Sequence, residues 1–266
     1  VLALARHVNP TRQAVGRTLE DYVSRYMPKG VRAYGLTSAD GQTSTPVLDM
    51  GQPNARPVIV LHPMALPDIR AADIEVCERL GLRLVWPLRH GTLDPGASAL
   101  TPEAQLEHAV RGAELAIATI ARDTVPVLAF AAASKVGLAL ARAHPQHVSA
   151  LHVAGVCVRE GRPESGARRL ARGVLALAAQ RPMLLDPVLG HLETRLRRPG
   201  ALKQFLETQF SDSPADAAIV ARDLNGTYGI DRFSDSLLDS AASARHDFLF
   251  QADLGWHRAP ADLPIQ

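Results

Sequence analysis

A chain of 266 residues, 47% of them apolar, can bury a sizeable core as one large domain or two small ones. Its 29 basic and 27 acidic residues leave a formal charge of only +2, which argues against a broad nucleic-acid-binding face or a membrane-surface protein. No stretch approaches the 18 or so uninterrupted apolar residues of a membrane span, the first residues do not read as a signal peptide, and Cys77 and Cys157 suggest neither a disulfide framework nor a thiolate metal site. A cytoplasmic location fits these features, and the start at Val1 without an initiator methionine points to missing upstream sequence.

In chain order, Val15, Leu19, Tyr22, Val23 and Tyr26 fall at helical spacing between Thr11, a candidate cap, and the stop signals Pro28 and Gly30. Residues 31–37 and 45–50 flank an Asp40-Gly41 turn signal and predict an antiparallel hairpin at a sheet edge. From Pro57 onward short continuous apolar runs alternate with helical stretches. Val58 to Leu61, Leu82 to Trp86, Val125 to Phe130 and Ala150 to Ala154 read as buried parallel strands. Between them lie helices from about Asp68 to Leu80, one carrying Leu106, Val110, Ala113, Ile117 and Ile120, and one from Lys135 to Ala143. Parallel strands need crossover connections, so this alternation predicts a doubly wound sheet. Beyond Cys157 the strand signal stops, and residues 167–180, 183–197, 201–210 and 214–224 read as helices broken by proline and glycine, in the manner of an inserted cap.

Three segments together resemble the α/β-hydrolase superfamily. VIVLHPM (58–64) is similar to the strand ending in His-Gly whose following loop gives one oxyanion-hole amide, with Pro63 in place of the glycine. LRLVWPLRHGTLDP (82–95) resembles a strand followed by the Arg-Gly-x-Gly-x-Ser-Asp loop, and VLAFAAASKVGLALARAHPQHV (127–148) resembles the nucleophile elbow and its helix, His144-Pro145 and Val148 matching the helix end. The resemblance implies an α/β-hydrolase-like, doubly wound and mostly parallel sheet with an inserted helical cap. It divides the chain into a helix or linker over 1–29, the core over 30–155, the cap over 156–260, and over 261–266 the start of a further core strand, with the last strands missing.

Counting back from His144 along a helix of family length puts the nucleophile position at Ala131, with Ala129 and Ala133 at the two small positions of GxSxG. Alanine has no nucleophilic atom, so acyl-enzyme chemistry cannot start there. Shifting the register to let Ser134 attack would shorten the helix and place β-branched Val136 where a tight turn wants glycine, so Ser134 reads better as a helix-start residue with a capping role. An engineered serine-to-alanine change is a third explanation. The acid and histidine of a triad would follow later strands. His152 lies in a strand pattern and reads as a core residue, while His191, His246 and His257 are the other late histidines.

Around the elbow the candidate ligand-binding residues are His62, Met64, Ala131, Ala132 and Trp256, with His62 either donating to a ligand or anchoring its loop. No metal-ligand spacing such as HExxH is present, and neither a metal nor a cofactor is expected. Arg89-His90-Gly91 and Asp94-Pro95 read as loop structure. GALKQFLETQFSDSPAD (200–216) with DLGW (253–256) resembles the hydrolase-like domains fused to LuxR-type helix-turn-helix regulators, in which the elbow commonly lacks a serine. That resemblance implies a sensor for a small apolar or amphipathic ligand, with DNA contacted only through an upstream module and no membrane partner. Two other functions stay open: a serine-type esterase seen as an inactivated or truncated chain, and a homodimerisation module built on the N-terminal helix.

Overall fold

A computed structural model describes residues 19–63, 67, 69–93, 100–120, 124–154, 200–210 and 213–223, with isolated positions between 187 and 198. Helix α1 (Leu19–Tyr26) covers the end of the predicted N-terminal helix and stops ahead of Pro28 and Gly30, the latter at a φ of 99°. Thr11 lies outside the described residues. Strands β1 (Arg32–Thr37) and β2 (Ser44–Met50) pair antiparallel as the Asp40-Gly41 signal predicted. The turn is held by the Asp40 carboxylate, which accepts from the Ser38 hydroxyl at 2.6 Å and the Gln42 amide at 3.0 Å, while Gly41 takes a φ of 71°. Gly51 leaves β2 at a φ of 93°, where a Cβ would stand 2.3 Å from the Leu82 carbonyl oxygen, so only glycine fits that bend.

Strands β3 (Arg56–Leu61), β4 (Leu82–Pro87), β5 (Val125–Phe130) and β6 (Val148–Ala154) are mutually parallel and join the hairpin in one six-stranded sheet of order β1-β2-β4-β3-β5-β6. The crossovers are α2 (Ala71–Leu80), α3 (Pro102–Ile120) and α4 (Ser134–Ala143). The predicted start of α2 at Asp68 moves to Ala71 because Arg70 is extended, its amide donating to the Asp73 carboxylate at 2.8 Å.

The two faces of the sheet bury separate cores. On one, Ala113, Ala116 and Ile117 of α3 and Val136 and Leu140 of α4 pack on Val47, Ile59, Val85 and Val127. On the other, Tyr22 and Tyr26 of α1 and Cys77 of α2 pack on Leu48, Met50, Val60 and Trp86. Period-two alternation sends successive strand residues to opposite cores, which is why the central strands are apolar on both faces. His152 departs from its expected place: it is exposed on β6, which borders the described sheet on one side only, so the core reading of this histidine is corrected.

In the predicted cap region, α5 (Ala201–Phe210) and α6 (Pro214–Asp223) form as expected and pack against each other. Helix 167–180, most of helix 183–197, Cys157, His246, His257 and the start of a strand at 261–266 lie outside the described residues.

Candidate functional site

Because β4, β3 and β5 run parallel side by side, Pro87, Leu61 and Phe130 end along one edge of the sheet, the place where open α/β sheets bind ligands. At the end of β5 the chain turns abruptly. Phe130 is still extended at φ −107° and ψ 135°, Ala131 takes a φ of 46°, and a 3-10 turn over Ala131–Ala133 leads straight into α4. Ala131 is the one non-glycine residue with positive φ among those described. A left-handed alanine costs roughly 1–2 kcal/mol, since its Cβ crowds the following carbonyl. This is the geometry of a nucleophile elbow, a strained strand-to-helix turn that presents one side chain above the sheet. The positive φ falls on Ala131, the residue that the count from His144 reaches.

The close packing that an elbow requires is supplied by small residues. Ala129 and Ala133 are fully buried on either side of the turn. One turn into α4, Gly137 sits so close to the sheet that a Cβ there would stand 2.9 Å from Leu151 Cδ1 and 3.0 Å from the Ala129 Cβ. Ser134 is also fully buried, and its hydroxyl has no hydrogen-bond partner among the described residues. The expected capping role is therefore corrected: Ala133 holds the cap position of α4, and no side-chain cap bond forms. Burial equally keeps the Ser134 hydroxyl from attacking a substrate.

His62 follows β3 directly and is 4% exposed. Its Nδ1–H donates to the Pro63 carbonyl at 2.9 Å, which anchors the loop. Ala132 is half-buried beside Ala131, while Met64 and Trp256 lie outside the described residues. Phe130, the last residue of β5, is 37% exposed.

The loop after β4, whose sequence predicts loop structure only, holds buried polar residues. Arg89 and Thr92 are buried, and Gln105 of α3 is fully buried, its side-chain amide donating to the His90 carbonyl at 3.2 Å. The rings of His90 and His108 lie 5.4 Å apart. Burial, followed by the proximity of His90, holds the His108 imidazole below its ordinary pKa. Gln105 was legible in principle: it precedes Ala109 and Ala113 at four-residue steps, a polar residue on an apolar helix stripe.

Neither a protein-family model nor a curated protein sequence matches the chain. Solved structures do resemble it. Cfl2 from Burkholderia cenocepacia is 16% identical with a TM-score of 0.48, the match covering 81% of this chain and 73% of that one. An epoxide hydrolase, VrEH1, from Vigna radiata is 14% identical with a TM-score of 0.48, covering 86% of this chain and 74% of that one. The 2-hydroxy-6-oxo-6-phenylhexa-2,4-dienoate hydrolase from Rhodococcus sp. strain RHA1 is 15% identical with a TM-score of 0.43, covering 79% and 72%. These are likenesses of chain course and assign no residue a role. The class is defined by the chain's own geometry: an open, mostly parallel sheet wound on both faces, with a strained elbow between β5 and α4, is an α/β-hydrolase-like fold.

Proposed function

We propose that the chain is a non-catalytic sensor domain in which an α/β-hydrolase-like pocket binds a small apolar or amphipathic molecule. The observation that carries this reading is Ala131: the elbow keeps its strained angle yet offers a methyl group where an enzyme holds its nucleophile. The exposed Phe130 that ends β5 and the half-buried Ala132 of the turn favour an apolar group over an acyl carbon awaiting attack. Fold alone carries no reaction, and a binding edge without a nucleophile retains binding. The resemblance of the 200–216 segment to LuxR-type regulators supports placing the domain in a transcriptional regulator, with DNA contact left to another module.

A second reading, a serine-type hydrolase whose nucleophile has been replaced, is favoured by the same angle, because a left-handed alanine costs stability and returns nothing to a pure binding site. Chemistry separates the two. The sensor reading expects no hydrolysis of short p-nitrophenyl esters above background by the wild type, and no fluorophosphonate labelling of Ala131→Ser. Strong labelling of that variant would favour the hydrolase. For binding, a ligand found by thermal-shift screening should bind markedly more weakly to Ala131→Phe in calorimetry, at a folding cost of about 1–3 kcal/mol if the site is tight. Unchanged affinity in a folded variant would place the ligand elsewhere.

A further inference from the structure

At the end of α4 remote from the elbow, about 15 Å along this ten-residue helix, three side chains converge that neither the fold nor the elbow chemistry uses. His144 closes α4, and its Nδ1 lies 3.0 Å from Oε1 of Glu114 on α3. His147 follows three residues later. Its ring stacks on that of His144 with planes 3° apart and centroids separated by 5.8 Å. One ligand atom from each of Glu114, His144 and His147 lies within 4.8 Å of the others. The backbone beneath is fixed: the His144 amide donates to the Leu140 carbonyl and the His147 amide to the His144 carbonyl, each at 2.9 Å, and the His147 carbonyl accepts from Val125 at 3.0 Å.

A hydrogen bond between Glu114 and His144 would by itself account for two of these groups as a strap between helices. It does not account for the third, because Nδ1 of His147 is buried with no hydrogen-bond partner among the described residues. We propose that Glu114, His144 and His147 form a binding site for a divalent transition ion of the zinc class, with water completing the coordination. Two imidazole nitrogens and one carboxylate oxygen suit Zn²⁺, Co²⁺ or Ni²⁺, whereas Mg²⁺ and Ca²⁺ favour oxygen alone. Two donors at about 2.0–2.2 Å from a tetrahedral ion stand about 3.3 Å apart, close to the spacing of Glu114 and His144, and rotation of the side chains brings in the third. The ion takes the place of the hydrogen between Glu114 and His144, whose ring then carries its one N–H on Nε2, and protonation of the three ligands competes with the ion, so binding weakens in acid. Glu114 and His144 are 35% and 23% exposed, which leaves an entry path from solvent. The ion clamps α3, the end of α4 and the start of β6 together, and so acts on the stability of the fold rather than on the elbow.

The sequence carries no HExxH spacing and predicts no metal. His144 and His147 form an H-x-x-H spacing at the end of α4, and the third ligand comes from another helix. The test is calorimetry of the full chain with Zn²⁺ alone, on the wild type and on Glu114→Gln and His147→Gln checked for folding by circular dichroism. One equivalent should bind to the wild type, raise its melting temperature by mass action and do neither with Mg²⁺, and each variant should bind at least tenfold more weakly. Imidazole ¹⁵N shifts give a reading that needs no variant, since Zn²⁺ should move the resonances of His144 and His147. No uptake by the wild type, equal uptake by both folded variants, or shifts confined to others of the ten histidines would overturn the assignment.

Discussion

At the carboxyl end of β5 the chain keeps an unfavourable backbone angle and no polar side chain, while across β1, β2 and β4 it keeps a buried charge with every oxygen engaged. Asp49 of β2 is 1% exposed and accepts from Arg32 at 2.8 Å, from Arg83 at 2.7 Å and from the Tyr34 hydroxyl at 3.1 Å. Arg32 lies directly opposite Asp49 in the hairpin register, and Arg83 and Tyr34 share the same face two residues along their strands. The Asp49 carboxylate bonded to Arg83 holds that guanidinium above its ordinary pKa, and burial, reinforced by Asp49, raises that of the Tyr34 hydroxyl. The ionic hub compensates desolvation with geometry; the elbow holds strain with apolar packing alone. Polar side chains in this molecule therefore need not mark chemistry, and the position with the geometry of chemistry is an alanine.

Three variants break or sharpen that contrast. The largest effect belongs to the hub: Asp49→Ala leaves Arg83, only 15% exposed, without its anion and should cost about 3 kcal/mol, near the lower end for a broken buried pair. A urea midpoint lowered at constant slope would show it, and a change within about 0.5 kcal/mol would mean that the arginines find water instead. Next, Gly137→Ala forces a methyl group against Ala129 and Leu151. Overpacking of about 1–3 kcal/mol is partly offset by the better helix propensity of alanine, for a net loss of about 1 kcal/mol in the same assay. Smallest and opposite in sign, Ala131→Gly relieves the left-handed angle and should stabilise by about 0.5–1 kcal/mol, after allowing for the greater freedom of glycine in the unfolded chain. A lower melting temperature for that variant would show that strain does not govern the elbow.

The strands, the hairpin turn and the crossover helices were legible in the order of residues. Each is a local pattern: continuous apolar runs for two-sided strands, Asp-Gly for a turn, and apolar residues at helical spacing for the crossovers. Such patterns depend on the periods of the backbone, which neighbouring residues impose on one another. Tertiary structure alone decided the rest. Asp49, Arg32, Tyr34 and Arg83 are far apart in sequence and become neighbours only through strand pairing, which makes an aspartate in a buried strand tolerable. His152 obeys a strand pattern but is exposed, because alternation sets the face on which a strand residue stands and not what covers that face. Glu114 meets His144 and His147 because α3 and α4 pack on the same face of the sheet, a contact between distant segments that the period of neither helix encodes.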